Sequence, residues 1–328
     1  MSSTVAGDVR FSRPVEELTL VCRRSKVLFV PTPKVACTSL NWLFARHEGV
    51  AGPPDSSPGE FPTREMTIHG QWVNRVTRLV DLGVRERNEV LQSPDWVRFC
   101  VTRRPAERVL SGWVNRCLLT PVDEPSVELL IGAGGPDPSL VVPGGADLRV
   151  AFRRFVHSLR SRDSRWLEDR HFQLQSDFLE VERFPYTDII DLGSLDDFLD
   201  ELRRSHPSRR DLGSAERVNT SPSFPVAAMY DESTLAVIDE IYGRDHERFG
   251  YRQITVDPAQ PVVTLSHNEL AMIRELRERA RRTVDLNAQL GRVVGIKESS
   301  AAWYAAVRRR MAYELGRWNP LRASRRRQ

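Results

Sequence analysis

Apolar positions first gather at Lys26 to Pro31, KVLFVP, an uninterrupted run that stops at a proline and predicts a short buried strand. The period then changes. A helix is expected to begin near Thr38 or Ser39, with Leu40, Leu43 and Phe44 along one side. Residues 49–63, GVAGPPDSSPGEFPT, are rich in Pro, Gly and Ser and read as a loop at the edge of a cleft. Helix returns over Gln71 to Leu82, with a further turn near Glu86. Asp95 to Thr102, DWVRFCVT, predicts a second strand with Cys100 as a small apolar residue inside it. Pro105 suits a first helical turn, where a missing N–H costs nothing, and Ala106 to Arg116 follows with Val109, Leu110, Trp113 and Val114 on its apolar side.

Residues 131–145 form a second Gly/Pro-rich insert. A helix through Phe152, Phe155, Val156 and Leu159 comes next, then a polar segment to Gln175, a strand at Thr187 to Leu192 and a helix at Leu195 to Leu202. Residues 205–224 read as disordered, and Leu235 to Tyr242 reads as the last helix of a core ending near Tyr251. The strand–helix–strand–helix order predicts an α/β fold, a mostly parallel sheet flanked by crossover helices. Beyond Pro261 the character differs. Ser266 with Glu269 makes a capping box, and Leu270, Ile273, Leu276, Ala280 and Val284 trace a helical stripe. Trp303, Val307 and Trp318 suggest another helix. The expected division is a core domain over 1–255 and a C-terminal helical extension over 256–328, which lies back on the core or mediates self-association.

Composition narrows the class. The 328 residues are 40% hydrophobic and 28% charged, a soluble globular balance that excludes a disordered chain. Net charge is +4, but residues 301–328 carry eight arginines against one acid, Glu314, so the remainder is slightly acidic. The basic tail is read as a contact for an acidic membrane surface or partner, or as simply solvated; without a base-reading module it gives little support to nucleic-acid binding. The start lacks the apolar stretch of a signal peptide, and no apolar run is long enough to span a bilayer. Cys22, Cys37, Cys100 and Cys117 match no zinc spacing and are read as reduced thiols of a cytoplasmic protein.

The chemistry starts at PTPKVACTSL, residues 31–40. A strand that turns into a helix leaves N–H groups outside the helical ladder, and such a turn binds anions. Lys34 adds a mobile charge, Thr38 and Ser39 add hydroxyl donors, and Cys37 is small enough to let an oxygen approach. The glycine-rich G-x-x-x-x-G-K-[ST] loop is absent. Taken alone, Ser39 could equally cap the helix, Lys34 be solvated and Cys37 pack in the core. A second anion site is suggested by VTRRPAERVLSGW, residues 101–113, where Arg103 ends a strand and Ser111 lies two turns into the helix. Arg104 and Arg108 are read as solvated surface charge. Sites at the ends of two parallel strands suit a ligand carrying phosphate groups at both ends.

Residues 31–44 resemble the 5′-phosphosulfate loop of the Golgi-type carbohydrate sulfotransferases, P-K-V-A-C-T-x, and residues 99–115 resemble their 3′-phosphate motif, R-x-P-x-x-R-x-x-S. DRHF at 169–172, YTDIIDLGSLDD at 186–197 and IYGRDHERFGY at 241–251 are similar to further family segments, in the family's order. The resemblance implies the P-loop-like sulfotransferase fold, with 3′-phosphoadenosine 5′-phosphosulfate (PAPS) as donor and PAP as product. It implies a hydroxyl-bearing glycan, glycolipid or small glycosylated acceptor. It places Lys34, Ala36, Cys37, Thr38 and Ser39 around the 5′-phosphosulfate, and Arg103 and Ser111 on the 3′-phosphate. Arg104 stands where Asp is common, Gln173-Leu174-Gln175 replaces a pattern that often contains proline, and Phe172 and His246 stand where Trp and Phe are frequent. The absence of the family's luminal cysteines and membrane anchor fits a bacterial-style member.

Sulfuryl transfer needs a base for the acceptor proton, a counter-charge for the leaving phosphate and in-line positioning. Lys34, with Thr38 or Ser39, is assigned the counter-charge, so the chemistry demands no metal. His69, in MTIHGQW, is the first choice of base, since an ordinary histidine pKa of about 6.5 suits proton transfer at neutral pH. That stretch is similar to the H-G-H of uronyl sulfotransferases, with Gln71 replacing the second histidine. His171 is the competitor, followed by Glu65. Asp169 and Arg170 read as a structural ion pair, and Trp72, Trp113 and Trp166 as core residues or stacking platforms. The rival readings are a P-loop kinase or ATPase, which would need Mg²⁺, a nucleic-acid binder acting through its tail, and a silent scaffold.

Overall fold

Two faces of one sheet account for much of the apolar pattern. The computed structural model describes residues 10–49, 76–119, 148–161, 166–215 and 224–256, with single positions at 268 and 275. Strands β1 (Leu20–Cys22), β2 (Val27–Val30), β3 (Val97–Thr102) and β4 (Asp188–Asp191) lie side by side in that order. β2, β3 and β4 run parallel, with Phe29 opposite Phe99 and Phe99 opposite Asp188. β1 joins β2 antiparallel, Leu20 opposite Phe29. Around the sheet stand α1 (Arg13–Leu18), α2 (Cys37–His47), α3 (Val84–Gln92), α4 (Pro105–Trp113), α5 (Leu148–Ser158), α6 (Gln175–Phe178), α7 (Leu195–Ser205), α8 (Val226–Met229) and α9 (Glu232–Phe249). This is the mostly parallel α/β sheet that the pattern predicts.

Alternation sends Val27, Phe29, Phe99 and Val101 to one face, against Leu40 and Phe44 of α2 and Leu195, Leu199 and Leu202 of α7. Leu28, Val30 and Cys100 point to the other face, against Val15, Leu79, Val90, Leu91 and Phe178. Both faces being covered explains why β2 reads as continuous rather than alternating hydrophobicity. A third cluster joins α4, α5 and α9, where Trp113 meets Phe152 edge-on at 5.3 Å and Trp166 meets Phe172 at 5.5 Å and 90°. Trp113 and Trp166 are thus core residues, not stacking platforms. All four cysteines are free; Cys22, Cys100 and Cys117 are buried and Cys37 is partly exposed.

Several expectations need correction. Residues 76–82 are not helical beyond one short 3-10 turn, Leu79–Asp81, because Val21 N–H donates to Thr77 O and Leu79 N–H to Thr19 O, which draws this chain alongside β1. Pro207–Arg209, expected to be disordered, forms a turn fixed by the buried Arg209, whose guanidinium reaches the carbonyls of Ser25, Lys26 and Asp95. The last helix extends well past Leu235–Tyr242. It starts under an Asp231–Thr234 capping box, ends at Gly250 with φ 68°, and its polar turns pair outward, Arg244 with Asp177 and Arg248 with Glu182. The turn near Glu86 is the full helix α3. α1 and β1 were not anticipated, being too short to show a period.

Residues 49–63, apart from Gly49, and residues 131–145 lie outside the described residues, as do the C-terminal stripe and the arginine-rich tail. Among the described residues no helix is long and apolar enough to cross a membrane.

Gly112 of α4 lies against the Phe172 ring, and a Cβ there would come within 2.8 Å of Phe172 Cε1. Phe155 and Trp166 hold that ring from other sides. Overpacking should cost about 1–3 kcal/mol, against roughly 1 kcal/mol returned by helix propensity. Gly112→Ala is therefore expected to unfold at lower urea than the parent, and Phe172→Leu added to it should recover part of the loss. A parent-like midpoint for Gly112→Ala would refute the contact.

Candidate functional site

The turn from β2 into α2 holds two non-glycine residues in the left-handed region, Lys34 at φ 69° and Ala36 at φ 55°. Each costs on the order of 1–2 kcal/mol, and such strain gathers at functional sites. α2 begins at Cys37, earlier than expected. Its N-cap is Ala36, which has no side chain to bond the helix N–H groups, so Ser39 is not the cap. The first helical bond runs from Leu40 N–H to Ala36 O at 3.0 Å. The N–H groups before it lie outside the ladder at the C-terminal end of β2, the arrangement that attracts anions. Lys34, Ala36 and Cys37 are partly exposed, whereas Thr38 and Ser39 are buried. Burial pushes the Cys37 thiol up, with the Lys34 charge partly opposing it.

On the neighbouring strand, Arg103 follows the end of β3. Its Nη1 donates to the Lys34 carbonyl at 3.5 Å and its Nε to Glu107 at 3.2 Å. The two anion motifs, distant in the chain, therefore meet. Ser111 sits partly exposed on α4, two turns further on. Arg104 pairs with Glu107 at 3.7 Å. Arg108, expected at the surface, is buried instead. Its fork donates from Nε to Pro33 O at 3.3 Å, from Nη1 to Gln173 O at 2.7 Å and from Nη2 to Arg170 O at 2.7 Å. Burial lowers its pKa, opposed by Tyr242, Asp245 and Asp169.

Residues 169–176 close the site from α9's side. Asp169 does not pair with Arg170; it accepts from the His171 main-chain N–H at 2.8 Å, lies 2.5 Å from His171 Nδ1, and pairs with Arg116 at 3.1 Å. Burial opposes ionisation of Asp169, but the His171 bond and the His171 and Arg116 charges outweigh it and hold the carboxyl well below its ordinary range. Burial likewise takes the His171 imidazole below its ordinary value, with Asp169 raising it and Arg116 and Lys34 lowering it further. Lys34 is thus within electrostatic reach of His171.

Gln175, at the start of α6, accepts from the Arg103 N–H through Oε1 at 2.9 Å and donates to the Arg103 carbonyl through Nε2 at 2.8 Å. Asp245, fully buried on α9, accepts from the N–H groups of Gln175 and Ser176, each at 2.8 Å. Tyr242 donates to Phe172 O at 2.5 Å, and Tyr251 donates to Thr102 Oγ1 at 2.7 Å where β3 ends. Sequence reasoning missed Arg108, Gln175 and Asp245. The one available signal was that Arg108 and Asp245 lie within family-like segments, 99–115 and 241–251; Gln175 lies just past 169–172, where the chain departs from the family's pattern. Of the expected site residues, Lys34, Arg103 and His171 come together; His69, Glu65 and Trp72 lie outside the described residues.

Residues 18–252, which span the sheet and every helix from α2 to α9, match the model of the sulfotransferase family. No curated protein and no solved structure matches the chain.

Arg108 should not tolerate lysine. One ammonium cannot reproduce a fork that reaches three carbonyls, and each buried group left unpaired costs about 1–3 kcal/mol. Arg108→Lys is expected to lose about 2–4 kcal/mol in urea unfolding; a loss below about 0.5 kcal/mol, the surface norm, would contradict the burial.

Proposed function

Because the chain belongs to the sulfotransferase family, we propose that it transfers a sulfuryl group from PAPS to a hydroxyl of a carbohydrate, glycolipid or glycosylated metabolite. The observation that carries this reading is the meeting of Arg103 with the Lys34 loop at the ends of adjacent parallel strands. A donor with phosphate at both ends needs two anion sites on one edge of the sheet, and open α/β sheets bind ligands there. The strained, uncapped turn at Lys34–Cys37 fits the phosphosulfate end, and the Arg103 guanidinium fits the 3′-phosphate end.

When bound, PAPS supplies the sulfuryl group and PAP remains. The chain's own residues do the rest. Lys34 would meet the charge that grows on the leaving phosphate, with the N–H groups at the start of α2 and the Thr38 and Ser39 hydroxyls as further donors. Arg103 would hold the 3′-phosphate with two parallel bonds, and Ser111 would add a donor from another direction. His69 keeps its sequence-based claim to the acceptor proton. His171 has the support of its surroundings: Asp169 engages Nδ1, which leaves Nε2 to accept the proton, and the ring's lowered pKa keeps it neutral at physiological pH. Family membership favours this chemistry over Mg²⁺-dependent phosphoryl transfer.

Labelled sulfate should pass from PAPS to at least one member of a sugar and cell-extract panel, in the presence of EDTA. Lys34→Ala is expected to lower kcat about 10²–10³-fold. Mg²⁺-dependent ATP turnover without sulfate transfer would reject the proposal.

The base is decided by pH. If His171 takes the proton, kcat/KM loses activity in acid only below about 6.5, because the imidazole must be neutral and its pKa is depressed. Asp169→Asn removes the carboxylate that raises that pKa, so the acid limb should move lower still. His171→Ala should cost about 10²–10⁴-fold. A parent-like rate for His171→Ala with a collapse in His69→Ala would assign the base to His69.

A further inference from the structure

Arg103 stands where β3 has ended and α4 has not begun, so its main-chain N–H and C=O belong to neither ladder and must find other partners. A single buried side chain provides both. Gln175 faces the Arg103 peptide with its primary amide, Oε1 to the N–H and Nε2 to the carbonyl, as a neighbouring strand would. A glutamine amide offers a donor and an acceptor side by side at this reach without needing to bind a proton. The amide is itself anchored, since Asp245 takes the main-chain N–H groups of Gln175 and Ser176 and lies 3.5 Å from Nε2. Gln175 and Asp245 have no exposed surface.

We propose that Gln175, anchored by Asp245, is the positioning residue for Arg103 and so sets how strongly the site prefers a nucleotide that carries a 3′-phosphate. The inference rests on the donor reading above. Neither residue touches the ligand in this account; both act through the Arg103 main chain. A small rotation there is magnified at the tip of a long side chain, and a displacement of about 1 Å can cost roughly a hundredfold where charges must align. Both bonds from the Gln175 amide to this turn go to the Arg103 main chain, so its effect falls first on the 3′ end of the site.

The test compares adenosine 3′,5′-bisphosphate with adenosine 5′-monophosphate, titrated calorimetrically into the full chain. The parent should prefer the bisphosphate. Gln175→Met, close in volume but unable to bond the peptide, should reduce that preference about tenfold while leaving monophosphate affinity unchanged. Arg103→Ala should reduce it at least as much, and the double variant should lose nothing further, since coupled residues are not additive. A general loss of packing would instead weaken both ligands together, and that result overturns the proposal, as does an unchanged preference in Gln175→Met. Should Gln175→Met fail to show cooperative unfolding, Asp245→Asn decides: a preference cut about threefold supports the proposal and a parent-like preference rejects it. A parent that binds neither nucleotide, or does not discriminate between them, overturns the donor reading itself.

Discussion

A buried guanidinium must find its acceptors inside the protein, and Arg108 bonds three carbonyls from two separate stretches of chain. One of these, Pro33 O, belongs to the turn that carries Lys34. The others, Arg170 O and Gln173 O, belong to the segment that carries His171 and leads to Gln175. Because Arg108 shares α4 with the residues that follow Arg103, the Lys34 turn, the strand end at Arg103 and the His171 segment are held as one unit. Bonds from a charged donor contribute about 1.5–3 kcal/mol each.

The same segment is gripped from the other side by α9. Tyr242 bonds Phe172 O and Asp245 bonds two successive N–H groups, while the Phe172 ring lies on Gly112 of α4. The main chain departs from helical geometry at Tyr242, with φ −105° and ψ 19°, in the stretch where α9 turns its polar groups inward. A peripheral helix thereby takes part in shaping the edge of the sheet that carries Lys34 and Arg103 without contributing a residue to it.

Much of this architecture was legible in the sequence. β2 and β3 announced themselves as apolar runs because both faces of the sheet are covered there. β4 is a partly exposed edge strand that showed only through Ile189 and Ile190, and α2 and α4 followed from their periodic stripes. The recurring segments pointed to the family whose model covers residues 18–252, and Lys34 and Arg103 could be singled out because a lone cation at a strand end has a chemical reading. Other features left no trace. β1 has three residues, and the chain around Arg78 was read as helix although its main chain pairs with β1. Arg108 was assigned to solvent because arginine is rarely buried. Gln175 and Asp245 act by side-chain bonds to main chain, which obey no spacing rule.

Glycine is the usual residue where a backbone must turn left-handed, yet here lysine and alanine adopt that conformation. The strain of that turn is carried by the folded chain, at the expense of its stability. On the proposed function, stability and nucleotide affinity are opposed at these two positions. On that reading, a thermally hardened descendant in which this turn is relaxed would be a poorer nucleotide binder.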